Sequence, residues 1–462
     1  MFPVASRCRD FVFPGRSLIL RYGRVAGRRD ESDAVPWIGW RARVRSAAVP
    51  LAVPAYRLHF FARLLSWTGS AVAPIGLAFA VLHIEGGAGG LGLVLAAGMV
   101  PQILLLLVGG VVADRFSRAR VMVWSNIVCF AAEGLAALLL YADVARVWHL
   151  AAMSAVCGAA SAFFTPAAGG VVVEVVPKEM RHAANALLKI GQNTVKVGGP
   201  ALGGVLVAVA GPAWVIGWDA LTFAAAAVLC AKIKLAPSRV KVRAGFVSDL
   251  REGWQDFWSR TWLWIMVVQG SVIVPTWLVG YQLLGPVYGQ RFLGGSGPWG
   301  LAMAGFTGGL IAGAALALMW KPRQVGLVVC LGTGSMALPL ATMALDQPVL
   351  VLIAATAAAG TGLAVSMTTW AGLVQERIRK DRLSRTTSYS TLGQLLPVPL
   401  GYLAAGPAAE LLGVRVVLAL AAVVIAGAAV VPLLLRQIRE LSLAVEDESV
   451  NSELTSAARA PR

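Results

Sequence analysis

The sequence predicts an all-α membrane protein, with twelve transmembrane helices in two six-helix bundles. Three observations predict it. Of 462 residues, 58% are hydrophobic and only 14% are charged, whereas soluble proteins carry about a quarter charged residues. The apolar residues fall into runs of about 20, enough as helix to cross ~30 Å of hydrocarbon. The basic residues lie on one side of these runs. Of 40 Lys and Arg, only Arg146, Arg291 and Arg415 fall on the other side, and only Arg63, Lys189 and Lys196 fall inside runs.

In chain order, residues 1–57 are Arg-rich and broken by Pro and Gly. They read as a basic, disordered cytoplasmic tail, or as the product of a start codon assigned too far upstream. The short apolar piece Phe11–Leu20 contains Pro14, Gly15 and Arg16, too interrupted for a signal peptide. Spans are expected near 60–83, 90–112, 121–142, 148–173, 184–209 and 213–231, the first bundle (58–232). A basic linker, 233–260, follows; Leu250, Trp254, Phe257 and Trp258 in it, with Trp262 and Trp264 at the start of the next span, suggest an amphipathic helix on the membrane surface. The second bundle (261–436) holds spans near 261–283, 299–319, 325–344, 348–372, 387–411 and 414–435, and 437–462 is a polar cytoplasmic tail. The positive-inside rule then places both termini and the linker in the cytoplasm of a cell whose plasma membrane holds the chain. This distribution accounts for the net charge of +17 without nucleic acid.

Charges inside spans are costly in lipid and mark function by default. Glu133 in span 3 reads either as a proton-carrying carboxylate facing a cavity or as a group near the outer headgroups. Lys196 in span 5 reads as a site for an anionic substrate or as a partner of Glu133. Asp219, at the start of span 6, reads as a helix cap more than a coupling residue. Arg63 and Lys189 lie toward the cytoplasmic ends of their spans and are expected to snorkel. Trp148, Trp214, Trp218 and Trp299 read as an interfacial belt. The five cysteines lack CxxC spacing and the four histidines lack HExxH, so no metal site is expected. No P-loop, dinucleotide fingerprint or nucleophile triad is found, so no enzyme and no cofactor other than a proton gradient is expected.

The loop after span 2 reads Gly110-Val-Val-Ala-Asp114-Arg115-Phe-Ser-Arg118-Ala-Arg120. It resembles the signature loop of the major facilitator superfamily. Gly110 would allow close packing at the helix end, Asp114 would pair with basic groups across the bundle, and Arg118 and Arg120 would add positive-inside weight. Span 5 carries Gly199-Pro200-Ala-Leu-Gly203-Gly204, similar to the motif of exporters in this superfamily, although Val195 stands where a glycine is usual. A generic kinked packing helix would carry the same residues. The order of Ala162–Pro166, Glu174–Asn185, Asp219–Phe223 and Asp249–Trp254 resembles the enterobactin-exporter and macrolide-efflux branch. Glu174–Glu179 and Glu376–Asp381 form an internal echo between the halves, whereas Lys321-Pro-Arg323 lacks the Asp of its counterpart loop. The resemblance implies a monomeric secondary transporter that exchanges a small molecule for protons by alternating access. An importer, a uniporter and a non-transporting sensor or scaffold with the same spans remain open.

Overall fold

A computed structural model describes residues 49–84, 87–233, 258–320, 322–378, 387 and 390–441. Most of the two tails, residues 85–86, most of the linker, Lys321 and most of the loop after span 10 lie outside the described residues, and the sequence readings placed there with them.

The described chain is helical, and we number its spans α1 to α12. They are α1 Pro54–His83, α2 Gly87–Arg115, α3 Arg118–Tyr141, α4 Val147–Val175, α5 Arg181–Ala210 and α6 Pro212–Ala231. The second half has α7 Thr261–Phe292, α8 Ser296–Met319, α9 Val325–Ala344, α10 Val349–Arg377, α11 Ser390–Leu412 and α12 Val414–Leu434. Eleven are long and apolar enough to cross a membrane as they stand; α5 makes the twelfth as a pair of helices, Lys178–Pro200 and Leu202–Ala210, bent by 43°. Pro200 sits at that bend, where its ring and missing N–H disrupt the helical ladder.

Certain backbone features recur in the two halves. Asp143 and Asp346, in the loops after α3 and α9, both have positive φ, at 54° and 53°. Gly211 and Gly413 separate α5 from α6 and α11 from α12 at φ 86° and 84°, a conformation that costs glycine nothing. Helices α4 and α10 are both 29 residues long, and Gly158 and Gly360 occupy the same position in them. A Cβ at Gly158 would collide with the Gly98 carbonyl of α2, and one at Gly360 with the Phe306 carbonyl of α8. Each half thus joins its second and fourth helices through a glycine that brings backbones together.

One face of the bundle carries the short loops near Asp143, Gly211, Gly294, Asp346 and Gly413; the other carries the basic loops. Near the short-loop face a single buried core crosses both halves, from Val72, Leu91 and Leu150 to Tyr288, Leu340 and Leu418. The halves meet there through α2 against α11 and α5 against α8. A Cβ at Gly406 would collide with Gly89, and one at Gly204 would lie 2.6 Å from Cα of Gly300. Toward the basic face the buried residues separate. Met122, Val171 and Cys230 form one cluster and Tyr56, Phe60 and Ala184 another within the first half. Met266, Cys330 and Leu373 cluster within the second half, as do Leu263, Val267 and Ile378.

Trp262 and Trp264 belong to the start of α7, not to a surface helix, and Trp262 packs edge-on against Trp370 at 5.5 Å. Trp148, Trp214 and Trp218 are exposed, whereas Trp299 is 1% exposed. The belt reading fails for Trp299 because Gly285 and Gly289 of α7 leave the room its ring and Cβ occupy.

Candidate functional site

A cavity of about 410 Å³ lies within the first half, bounded by α1, α2, α3, α4 and α6 and touched by Tyr402 of α11. Glu133 and Asp219 both line it, and their carboxyl groups adjoin. Asp219 is 1% exposed, and its Oδ1 accepts a 3.2 Å hydrogen bond from the Thr222 hydroxyl. The Cys157 thiol lies 3.9 Å from Glu133 Oε1, while the buried Glu133 Oε2 has no hydrogen-bond partner. Gly69 of α1 makes the approach of α6 possible, because a Cβ there would collide with the Asp219 carboxylate and the Thr222 hydroxyl.

Two expectations are corrected here. Asp219 does not cap α6, which begins at Pro212 after Gly211; two turns into the helix, Asp219 faces the cavity. Nor does Glu133 meet Lys196. The charged neighbours of Lys196 are Lys189 and Arg63, because the rotation of α5 turns Lys196 away from the cavity that α3 and α6 enclose. The Arg63 guanidinium carbon lies 4.5 Å from the Trp67 ring and 5.0 Å from that of Phe164, within cation–π range.

At the basic face, Arg118 Nη1 forms a 3.1 Å ion pair with Glu174 Oε1, and both side chains are largely buried. Gly170, one turn before Glu174, admits the guanidinium, which would collide with a Cβ there. Arg181 closes the same helix end by donating to the carbonyls of Val173 at 2.6 Å and Val176 at 3.1 Å, satisfying acceptors that a helix C-terminus leaves open. The backbone of Asp114 lies in the last turn of α2, and its side chain lies outside the described residues. Arg115 and Arg120 are exposed. The packing role expected of Gly110 belongs instead to Gly109: a Cβ at Gly110 would meet nothing within 4 Å, whereas one at Gly109 would collide with the Ala162 carbonyl. In α5, Gly199 and Gly203 face Ala71 and Val72 of α1, and Gly204 faces Gly300 of α8.

The family model of the Major Facilitator Superfamily matches residues 59–401. The chain belongs to that superfamily. The multidrug efflux pump Tap of Mycobacterium tuberculosis is 26% identical over 412 residues, covering 85% of this chain and 95% of the pump. Macrolide efflux protein A of Streptococcus pyogenes is 21% identical over 398 residues, covering 84% and 98%. Among solved structures, a bacterial homologue of the iron transporter ferroportin in its inward-facing state superposes with a TM-score of 0.62. It is 18% identical and covers 81% of this chain and 98% of that one. The nucleoside transporter NupG superposes with a TM-score of 0.63 at 11% identity, covering 82% of this chain and 98% of that one. At these identities the structural likeness shows the fold alone. The chain is therefore a multi-pass membrane transporter and not an enzyme.

In this major facilitator protein, three features escape sequence reading. Cys157 joins the carboxyl pair, and only the phase of α4 reveals it. His59 is 1% exposed with its Nδ1 unpartnered; it sits one turn from Arg63, a spacing visible in the sequence. In the second half a π-helical stretch, Leu278–Leu283, turns Tyr281 onto Trp277 at 4.4 Å and against Trp299 at 5.0 Å. The Tyr281 hydroxyl is buried without a partner. Wider helical turns of this kind recur at functional sites.

Proposed function

We propose that this transporter exports a small amphipathic molecule across the plasma membrane by alternating access, driven by proton entry through Glu133 and Asp219. The carboxyl pair in the first-half cavity carries the reading. Adjoining carboxylates repel when both are charged, so a proton held between them is favoured, and movement of the pair toward the other face releases it. One charge crossing 100 mV contributes about 2.3 kcal/mol to such a cycle. The likeness to the efflux pump Tap and to macrolide efflux protein A supports the direction. The positive-inside rule supports a cytoplasmic basic face. The core shared at the short-loop face, with separate cores at the basic face, then corresponds to an inward-facing state.

Everted vesicles from a host stripped of its own exporters test the reading with a panel of amphipathic dyes and antibiotics. Accumulation should collapse with nigericin. Glu133→Gln should remove pH-driven accumulation while sparing substrate counterflow, which needs no net proton movement. Accumulation that survives both treatments would refute proton coupling through this pair. A cysteine placed at Ser238 should resist an impermeant maleimide added outside intact cells; rapid labelling would reverse the orientation.

A further inference from the structure

The first half holds three basic side chains at membrane depth that its carboxylates do not neutralise. Arg63 of α1 and Lys189 and Lys196 of α5 are electrostatic neighbours. Among the described residues none of them takes part in an ion pair. Glu133 and Asp219 adjoin one another in the cavity that α5 does not line.

The rotation of α5 decides what these cations face. At about 100° per residue, Gly191, Gly199 and Gly203 fall on the side that packs against Phe60, Ala71 and Val72 of α1, while Gly204 points at Gly300 of α8 in the other half. Lys189, Asn193 and Lys196 fall in the narrow arc between these two directions, and all three are exposed. The wider arc beyond Gly204 carries Ile190 and Val205, exposed and apolar, as a lipid-facing surface requires. The basic stripe therefore faces the cleft between the halves, on the side where their cores are separate. Lys189 and Lys196 stand about 10 Å apart along the axis, two turns of one face. Beside them the Arg63 guanidinium lies within cation–π range of Trp67 and Phe164, which places a donor fork next to an aromatic surface.

We infer that Arg63, Lys189 and Lys196 form the substrate-recognition wall of the cleft and that the substrate is an amphipathic organic anion, bearing a carboxylate, sulfonate or phosphate. The inference rests on the reading of this cleft as the transport path. Such a wall repels a cationic drug and attracts an anion, and its like charges are compensated when the anion binds. An acidic lipid headgroup has the same chemistry, but the apolar arc of α5 turns the stripe away from the bilayer.

Equilibrium binding to the full chain in zwitterionic nanodiscs tests it with two dyes of one skeleton and opposite charge, 5-carboxyfluorescein and rhodamine 6G. Carboxyfluorescein should bind more tightly than rhodamine 6G, and added salt should weaken it. Lys196→Gln should weaken carboxyfluorescein by about ten- to a hundredfold, the equivalent of one lost charge-assisted hydrogen bond; Lys196→Arg should keep most of the affinity, which separates lost charge from misfolding. Tighter binding of rhodamine 6G, or unchanged carboxyfluorescein binding in both Lys189→Gln and Lys196→Gln, would overturn the inference. Loss of dye binding when phosphatidylglycerol enters the disc would assign the stripe to lipid and overturn it as well. Binding requires no proton movement, so this measurement is independent of pH-driven accumulation, and its failure is distinguishable from failure of the coupling reading, which the vesicle assay alone reads.

Discussion

The two halves share a scaffold and differ in chemistry. Gly158 and Gly360, Glu174 and Glu376, and Gly211 and Gly413 are separated by one and the same interval, and Asp143 and Asp346 by nearly the same. Counted from the same landmarks, the counterparts of Asp219, Lys196 and Lys189 are Ala421, Val398 and Thr391, and that of Glu133 is Met336. Among the described residues, every charge buried deep in a span lies in the first half. The second half answers with Trp277, Tyr281, Trp299 and Phe306, rings packed at 4.4 to 5.4 Å around a π-helical turn inside the core that both halves share. A repeated backbone sets where helices meet, because glycine contacts depend on position alone. Proton and substrate chemistry needs charge at one site only, and each further buried charge would add a desolvation cost without a role.

The sharpest way to break this comparison is to exchange its charges. Asp219→Asn should abolish pH-driven transport in the vesicle assay with little change in melting temperature. Ala421→Asp should do the reverse of a gain: Ala421 is 6% exposed in the shared core, and an unpaired charge there costs several kcal/mol, read as loss of folded protein by size-exclusion fluorescence. If Asp219→Asn transports normally, the asymmetry has no functional content.

The scaffold half of the comparison makes a symmetric forecast. Gly158→Val and Gly360→Val should each destabilise the protein by about 1–3 kcal/mol through overpacking, and by similar amounts in a thermal-shift measurement in detergent. A large effect at one and none at the other would show that the halves are not joined in the same way.

Peripheral ion pairs should matter least to stability, and they sharpen the comparison by location. Glu174→Gln breaks the largely buried pair with Arg118 at the basic face; transport should fall while expression holds. In the second half the polar tie lies at the opposite face, where Asp346 pairs with Arg415 at 2.7 Å and accepts the Tyr288 hydroxyl at 2.9 Å. That ion pair is about half exposed, so Asp346→Asn, which keeps a residue tolerant of positive φ, should cost only about 0–1 kcal/mol.

Span number, the division into halves and the basic face were all legible in the sequence, because hydrocarbon thickness and the placement of Lys and Arg act along the chain, residue by residue. The bend at Pro200 and the tight packing at Gly199 and Gly203 were legible for a similar reason: a missing N–H or Cβ acts wherever it stands. Rotation and partnership were not. Glu133 and Lys196 are both charges inside apolar runs of one half, and nothing linear separates a pair from two strangers. Their separation, the joining of Glu133 to Asp219 and Cys157, the burial of Trp299 and the burden carried by Gly109 in place of Gly110 all depend on how each helix turns about its axis. That angle is decided by which glycines let neighbouring backbones close, and only the packed tertiary structure decides it.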